Sequence, residues 1–384
     1  MKRLLQILSY ILVAAIASAV TLFFVPKTQE VRVDSKLEAI QDLIDQVYIG
    51  DTDQKVLEDA AAKAMLEAVG DRWSYYMTAE EYLAYQERMA NAYVGVGITI
   101  TQLESGYIEI KKVDVGGPAE EAGLKVGDVI VAVDGKDIAA LTIDEVKSLV
   151  RGEENTTVDI TVRRENRELT LNVTRRSIQT VVASGQMLEG NIGLVTISNF
   201  DSRCAEETIA VIEELMGQGA AGLIFDVRYN PGGYKHELVK ILDYLLPEGP
   251  LFRSIDYNGN EKVDESDAQC LQIPMVVLIN GDSYSAAEFF AAALSEYGVA
   301  KLVGMPTTGK GRFQSAYKLQ DGSAVNISVG KYCTPNGVDL TDVGLTPDVT
   351  VTLDPDTYMN IYYKLIPVEE DPQIQAALEL LLKR

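Results

Sequence analysis

The first pattern along the chain is a long apolar run near the N-terminus. Residues 4–25 are uncharged and mostly apolar. As a helix rising about 1.5 Å per residue, this run is long enough to cross a bilayer core of about 30 Å. Lys2 and Arg3 precede it, so the positive-inside tendency predicts a single-pass anchor within residues 1–29 and an extracytoplasmic remainder at the cell membrane. A cleavable signal peptide is the alternative, because residues 17–19 read Ala-Ser-Ala, although the apolar run continues beyond them.

Residues 30–92 have helical periodicity. Apolar side chains recur three or four positions apart, as at Leu37, Ile40, Ile44 and Val47, which predicts amphipathic helices. The periodicity does not distinguish helices that pack on a later domain from helices that form a dimer surface or a spacer behind the anchor.

Short β-rich runs alternate with turn residues from residue 93 to residue 177. The runs lie at residues 95–98, 107–110, 129–133, 158–162 and 169–173. Residues 118–123 predict a short helix, and Thr142 with Glu145 has the spacing of a capping box at the start of a longer one. The pattern therefore predicts a small β-barrel decorated with helices.

Strands and helices alternate from residue 178 to residue 352. Apolar strand-like runs at residues 192–197, 222–227 and 274–280 are each followed by a helical pattern. This alternation predicts a mixed, mostly parallel sheet with flanking helices, in which functional sites gather beyond the carboxyl ends of the strands. Residues 353–384 complete the prediction as a C-terminal helical extension. The predicted fold class is therefore α/β, in a multidomain α+β arrangement of anchor, helical region, β-barrel and α/β core.

Charge and composition narrow the possible partners. The chain of 384 residues has 34 Lys and Arg against 57 Asp and Glu, a formal net charge of −23. This charge repels phosphate backbones, so we predict no nucleic-acid partner. Three widely separated cysteines and a single histidine indicate neither a disulfide framework nor a zinc site. We therefore predict no metal and no cofactor.

Ser285 occupies a position suited to a nucleophile. It follows the apolar run at residues 274–280 and precedes a helical pattern, so we expect it where a buried strand turns into a helix. Free backbone N–H groups and the positive end of the helix dipole at such a turn can stabilise an oxyanion. The alternative is structural, because Ser285 and Glu288 have the Ser-x-x-Glu spacing of an ordinary capping box.

A second strand end supplies a glycine turn. Pro231, Gly232 and Gly233 follow the run at residues 222–227. Backbone without side chains can approach a ligand closely and present its N–H groups. This turn could complete an oxyanion hole, or it could be a plain connection between a strand and a helix.

A nucleophilic serine needs a base, and the sequence offers a lysine or His236. Lys310 lies between two glycines ahead of a strand-like run, where burial would lower the pKa of its amine and leave it neutral. Gln314 is placed to hold that amine in line. The alternatives are a solvated lysine in a surface turn, and His236 as the base, although His236 falls just inside a helical pattern.

These stretches, in this order after a PDZ-like segment, resemble the carboxyl-terminal processing peptidases, also called tail-specific proteases. By this resemblance Ser285 is the catalytic serine, Lys310 the base and Gln314 its orienting partner. The resemblance also implies an oxyanion hole formed by backbone N–H groups of Gly232 or Gly233 and of Ala286.

The chain departs from the family pattern at three positions near these motifs. Ala287 stands where many members carry another serine, Tyr284 replaces a small residue, and Thr308 replaces a common aromatic residue. None of these differences removes a catalytic group, so they concern efficiency and the shape of the subsites.

The β-rich module at residues 93–177 resembles PDZ domains. Residues 124–135 are similar to their Gly-Asp-x-Ile strand signature. The resemblance implies that a peptide adds as a strand to the edge of the domain, with its terminal carboxylate held by a glycine loop. The loop residues are Val94, Gly95, Val96, Gly97 and Ile98.

Taken together, the resemblance implies a serine endopeptidase that cleaves extracytoplasmic proteins through an acyl-enzyme and needs no cofactor. Its partners would be proteins or peptides with flexible apolar C-termini, and because relatives form dimers or larger rings we expect a homo-oligomer, such as a dimer. Two other functions stay open. The first is a non-catalytic protein that binds C-terminal tails, which is disfavoured because Ser285, Lys310 and Gln314 are all present. The second is an esterase or amidase of small molecules, which is disfavoured because such substrates would have no use for the PDZ-like module.

Overall fold

The structure is a computed structural model, and it describes residues 36–383. The predicted anchor at residues 4–25 lies outside this range. Within the described range, no helix is both long and apolar enough to cross a bilayer. The chain divides into two compact units, the first ending at Met65 and the second beginning at Leu66.

The first unit confirms the predicted helical periodicity. It contains helix α1 (Lys36–Val47) and most of helix α2 (Gln54–Glu67). Side chains four residues apart support both helices, because Lys55 pairs with Asp59 at 2.8 Å and the Gln41 amide donates to the Asp45 carboxylate at 3.2 Å.

The second unit begins with a strand, a helix and a further strand: β1 (Tyr75–Met77), α3 (Ala79–Ala90) and β2 (Ala92–Gly95). Helix α3 starts in a capping box, in which Thr78 and Glu81 each accept a backbone N–H of the other. It ends at Asn91, whose φ of 48° is left-handed, a conformation that asparagine tolerates. The Asn91 amide exchanges hydrogen bonds with Asn199, which fixes the end of α3 to the later core.

The PDZ-like module contains six strands and two helices. These are β3 (Ile98–Gln102), β4 (Ile108–Val113), α4 (Pro118–Glu121), β5 (Val129–Val133), β6 (Lys136–Asp137), α5 (Ile143–Val150), β7 (Thr157–Arg164) and β8 (Arg167–Thr174). The strands pair antiparallel in the order β3-β4-β5-β7-β8, with β6 on β5, so β3 lies at an edge. The module has its own hydrophobic core, which includes Ile108, Ile130 and Ile160.

Most local predictions for this module are confirmed, including the capping box of Thr142 and Glu145 at the start of α5. The predicted strand at residues 95–98 is wrong as a single element, because it is divided between β2 and β3. Gly97, with a φ of 77°, takes a left-handed conformation that breaks the strand there. The predicted domain boundaries at residues 93, 178 and 353 stay predictions.

The α/β core contains the remaining elements. They are β9 (Arg176–Gln179), β10 (Ala183–Leu188), β11 (Ile192–Ile197), α6 (Cys204–Gly217), β12 (Gly222–Asp226), α7 (Lys235–Leu245), β13 (Gly249–Asp256), β14 (Glu261–Ser266), β15 (Met275–Ile279), α8 (Ala286–Glu296), β16 (Ala300–Gly304), β17 (Arg312–Lys318), β18 (Ala324–Cys333), β19 (Val349–Thr350), α9 (Pro355–Tyr362) and α10 (Pro372–Leu382).

The main sheet confirms the predicted mixed, mostly parallel architecture. Its order is β10-β11-β12-β15-β16-β19, and only the β10–β11 pair is antiparallel. Residues from α6, α7 and α8 cover one face, and α10 covers the other. Burial on both faces explains why a central strand such as β15 is apolar at every position.

A second, antiparallel sheet was not predicted from the sequence. It has the order β1-β18-β13-β14, with β17 also paired to β18. Strand β1 pairs with β18 through Tyr75 and Asn326, so Trp73 and Ser74, just before β1, are brought onto this sheet.

A buried charge network joins the C-terminal helix to the main sheet. Arg228, just after β12, lies 2.7 Å from the Asp226 carboxylate and 2.8 Å from that of Asp371. It also donates to the Gln373 amide oxygen at 2.9 Å. Asp371 caps the N-terminus of α10 through the backbone N–H groups of Gln373 and Ile374. The network therefore holds α10 against the strand that leads into the Gly232 turn.

We expect Arg228→Met to lower the free energy of unfolding by about 3 to 5 kcal/mol, because Asp226 and Asp371 stay buried without a counter-charge. Lys301→Ala, which removes an exposed partner of Asp348, is the control and should cost less than about 1 kcal/mol. Urea unfolding followed through the fluorescence of Trp73, the single tryptophan, measures both. Equal losses in the two variants would contradict a stabilising network.

Candidate active site

Two predicted site segments lie side by side because their strands are neighbours. Strands β12 and β15 pair in parallel, so the turns that follow them meet at the same edge of the sheet. The Tyr284 N–H donates to the Asn230 carbonyl at 3.1 Å, which ties one turn to the other. Gly232, with a φ of 86°, approaches so closely that a Cβ there would lie 2.7 Å from the Ser285 Cβ. Only glycine allows this contact.

Ser285 is buried at the junction of the β15 turn and helix α8. Its φ of 58° and ψ of −125° are uncommon for a residue with a side chain, and such conformations cost about 1 to 3 kcal/mol. The conformation persists because the surroundings hold it, since every residue of α8 from Ala286 to Leu294 is buried. The predicted sharp turn from strand to helix is therefore present.

Lys310 is half-buried against aromatic rings, which contradicts the alternative of a solvated lysine in a surface turn. Its Nζ lies 4.5 Å from the centroid of the Trp73 ring and 5.5 Å from that of Tyr284. Burial, and after it the charge of Arg88, lower the pKa of the amine to about 8, although Asp71 and Glu288 act in the opposite direction. A substantial fraction of the amine is therefore neutral near pH 8.

The Glu288 carboxylate connects Ser285 to the Lys310 loop. One oxygen accepts the backbone N–H of Ser285 at 2.9 Å and that of Lys310 at 2.8 Å. The other accepts the Gly309 N–H at 2.7 Å and the Thr307 hydroxyl at 2.5 Å. The first bond belongs to the predicted capping box, but the three bonds to the loop are more than a cap requires. Glu288 is fully buried and serves both segments.

The three candidate oxyanion donors differ in their hydrogen bonding. The Gly232 N–H donates to the Asn230 side chain at 2.8 Å. By contrast, the N–H groups of Gly233 and Ala286 donate no hydrogen bond to any described residue. Gly233 and Ala286 are therefore the donors that remain free for a ligand.

Ser285, Lys310 and Gly233 line one cavity of about 540 Å³. Gln314 lies in the same wall, but its amide nitrogen donates to the Arg312 carbonyl at 3.1 Å and to the Ser328 hydroxyl at 3.0 Å. No hydrogen bond between Gln314 and Lys310 occurs within the described residues, and its orienting role stays a prediction.

His236 also lines the cavity, with a side chain that is 61% exposed. Its Nε2 lies 3.3 Å from the Glu237 carboxylate, and its ring stacks on Tyr234 at 5.1 Å. Neither His236 nor Lys310 has a hydrogen bond to Ser285 among the described residues, but the burial that lowers the pKa of Lys310 favours it as the base over the exposed His236.

The sequence analysis missed Trp73, which lies far from the site motifs along the chain. Its carbonyl accepts a hydrogen bond from the Asn326 amide at 3.2 Å, and the neighbouring Ser74 hydroxyl accepts the Ser328 N–H at 3.0 Å. These bonds to β18 place the Trp73 ring over Lys310. The only sequence signal was that Trp73 is the single tryptophan of the chain.

The predicted carboxylate loop of the PDZ-like module lies next to the edge strand β3. The Val96 carbonyl accepts the Ala119 N–H, and the Gly97 carbonyl accepts the Asp114 N–H. The N–H groups of Val96 and Gly97 have no acceptor among residues 36–383. A loop with free donors beside an unpaired strand edge suits a peptide that adds as a further strand.

Comparisons with known proteins give two family matches and a set of relatives. A model of peptidase family S41 matches residues 191–351, and a PDZ domain model matches residues 109–164. Carboxy-terminal processing protease CtpA of Bacillus subtilis (strain 168) is 32% identical over 366 residues, which covers 92% of this chain and 78% of that protein.

A second relative is named as a CtpA-like serine protease of Staphylococcus aureus (strain N315). It is 31% identical over 321 residues, and the match covers 83% of this chain. The chain spans 64% of the length of that protein.

One solved structure shows the same fold, and a second is similar in sequence. A structure named as an S41 protease of Bacteroides fragilis NCTC 9343 aligns with a TM-score of 0.51 at 16% identity, over 84% of this chain and 90% of that one. A photosystem II D1 C-terminal processing protease aligns with a TM-score of 0.48 at 28% identity, over 83% of this chain and 87% of that one.

We expect Glu288→Gln to lower the free energy of unfolding by about 3 kcal/mol, because the new amide nitrogen faces N–H donors and leaves them unsatisfied. Glu296→Gln on the same helix is the control, since Glu296 is half-buried and accepts one N–H, from Asn336. It should cost about 1 kcal/mol or less. Urea unfolding measured by Trp73 fluorescence compares them, and a loss for Glu288→Gln no larger than the control would show that Glu288 is only an ordinary cap.

Proposed function

The chain belongs to peptidase family S41, the C-terminal processing serine peptidases, and from this premise we propose that Ser285 is its nucleophile and Lys310 its general base. The observation that carries the proposal is that the buried Ser285 and the half-buried Lys310 line the same cavity. The Glu288 carboxylate accepts the backbone N–H groups of both residues. Glu288 fixes the backbone of both residues, so neither segment can move independently.

The chemistry follows from these groups. A neutral Lys310 amine accepts the proton of the Ser285 hydroxyl as Oγ attacks the substrate carbonyl carbon. The N–H groups of Gly233 and Ala286 stabilise the tetrahedral oxyanion, while Gly232 keeps the turn close to Ser285. When the peptide bond breaks, the lysine ammonium returns the proton to the leaving amine. Water, deprotonated by Lys310, then hydrolyses the acyl-enzyme ester.

Gln314 and the PDZ-like module complete the proposal. Gln314 lines the cavity and orients the Lys310 amine. Its hydrogen bonds to Arg312 and Ser328 hold the Gln314 side chain in place. The module captures flexible apolar C-termini of protein substrates at the edge of β3, and Val96 and Gly97 bind the terminal carboxylate.

The proposed setting of this activity is extracytoplasmic. The apolar run at residues 4–25 anchors the chain in the cell membrane, and the remainder acts on extracytoplasmic proteins as a homo-oligomer.

The first test is cleavage of an unfolded protein by the full-length chain in detergent. Ser285→Ala should abolish cleavage and Lys310→Ala should reduce it by about 10²- to 10⁴-fold, because each removes a group that acts in the transition state. Ser295→Ala on helix α8 and the exposed Lys318→Ala on β17 are the matched controls and should cleave like wild type. Unchanged cleavage by folded Ser285→Ala or Lys310→Ala would refute the assignment.

The pH profile tests the base. Because burial lowers the pKa of Lys310 to about 8, kcat/KM on an uncharged peptide should rise with pH with a midpoint near that value. Arg88→Gln removes a cation that lowers this pKa, so the midpoint should move up. Asp71→Asn removes an anion that raises it, so the midpoint should move down. Each shift should be up to about one unit.

Initial rates over the pH range, with circular dichroism to confirm folding, give the midpoints of the three profiles. Identical midpoints in wild type and both variants would argue against Lys310 as the titrating base.

A further inference from the structure

The cavity wall differs in charge from the rest of the chain. The whole sequence has a formal net charge of −23. The charged residues that line the cavity are nevertheless mostly basic: Arg72, Arg88, Lys235 and Lys310, with Asp201 as the one carboxylate among the described lining residues. Clefts lined by one sign of charge concentrate ligands of the opposite sign.

Two of these four cations already have a role or a partner. Lys235 pairs with the Asp264 carboxylate at 2.8 Å. Lys310 is the proposed base. Arg72 and Arg88 remain, and neither side chain forms an ion pair or a hydrogen bond with any residue that the structure describes.

Both arginines share the cavity wall with Ser285 and Lys310. The Arg72 guanidinium lies 4.5 Å from the centroid of the Trp73 ring, the same ring that Lys310 contacts. Arg88 is in the last turn of helix α3, with its guanidinium 5.3 Å from the Tyr85 ring. The charge of each arginine lowers the pKa of Lys310, which places both within electrostatic range of the base.

Asp201 is the acidic group that faces Arg88, and it does not neutralise it. Its side chain is buried, one carboxylate oxygen has no hydrogen-bond partner, and no ion pair with Arg88 is formed. Burial raises the pKa of Asp201 to about 6, although Arg88 opposes this shift. The Arg88 guanidinium therefore keeps its hydrogen-bonding capacity available to a ligand.

We propose that Arg88, assisted by Arg72, forms a cationic subsite that binds a carboxylate of the substrate beside the scissile bond. This inference rests on the proposed function and adds a substrate class to it, namely peptides with an anionic group near the cleavage point. The carboxylate comes either from an Asp or Glu side chain or from a free α-carboxyl end that lies close to the cleavage point. A guanidinium donates two parallel hydrogen bonds to either one.

The test measures binding rather than cleavage, so that it does not depend on the catalytic assignment. Full-length Ser285→Ala is titrated against short flexible peptides with a neutral fluorophore, and anisotropy gives each Kd. The first pair has an amidated C-terminus and differs only by Glu or Gln at its centre. In the second pair both peptides have Gln at the centre and the same short C-terminal segment, ending as a free acid or an amide.

In at least one of the two pairs, Ser285→Ala should bind the anionic peptide about tenfold more tightly than the neutral peptide, as expected for a charge-assisted hydrogen bond. The ratio of the two Kd values in that pair is the quantity compared between variants. Adding Arg88→Gln should bring that ratio close to one, whereas Arg88→Lys should retain part of it. Arg167→Gln, which removes an exposed cation on β8 of the PDZ-like module, should leave the ratio unchanged. The ratio should also fall with added salt.

The two pairs identify the source of the carboxylate. An effect of Arg88→Gln on the Glu/Gln pair assigns the subsite to an acidic side chain, and an effect on the acid/amide pair assigns it to a chain end. If Arg88→Gln lowers the ratio in neither pair, the subsite is overturned even if the wild-type chain cleaves proteins; an acid/amide ratio that survives Arg88→Gln belongs to the proposed carboxylate loop of the PDZ-like module. Conversely, an Arg88-dependent ratio in a chain that cleaves nothing would support the subsite while refuting the proposed catalysis.

Discussion

The buried carboxylate of Glu288 is the constraint on which the site depends. A carboxylate removed from water is costly unless its oxygens accept several hydrogen bonds. Here the four donors come from two separate segments: Ser285 at the start of α8, and Thr307, Gly309 and Lys310 in the loop that follows β16. Separating these segments would leave the charge unsatisfied. Folding of the core is therefore coupled to the alignment of Ser285 with the Lys310 loop.

Close backbone approach is the second constraint, and it explains the conformations around the site. Gly232 packs against Ser285 at a distance that excludes a Cβ, and Ser285 itself has a positive φ. Glycine adopts its positive φ readily, whereas the Ser285 conformation is unfavourable in isolation and is maintained by the buried helix α8 and by the bond between Tyr284 and Asn230. In this arrangement the N–H groups of Gly233 and Ala286 have no acceptor among the described residues.

The sequence predicted what depends on local pattern and missed what depends on distant contacts. Strands β11, β12 and β15 were predictable from their apolar runs, Ser285 and Gly232 from their positions after strands, and Lys310 from its place between two glycines ahead of a strand-like run. The antiparallel sheet was not, because strands such as β1 are short and their pairing joins residues far apart in the chain. Trp73 reaches Lys310 only through that pairing. Glu288 was visible only as a capping residue, since its bonds to the Lys310 loop require the tertiary fold.

If Lys310 is the base and Arg88 binds substrate, as we propose, the charges around Lys310 couple substrate binding to catalysis. Arg88 and Arg72 disfavour the ammonium form of Lys310, and this effect helps to keep the base neutral. A substrate carboxylate bound at Arg88 would offset part of that charge and raise the pKa of Lys310, at about 1.4 kcal/mol for each unit. Tighter binding of an acidic substrate would then be accompanied by a more protonated base below about pH 8. Binding of an acidic substrate at the Arg88 guanidinium would therefore increase affinity but decrease turnover. The decrease would be smaller if substrate binding excludes water from the cavity, because loss of water again disfavours the ammonium form of Lys310.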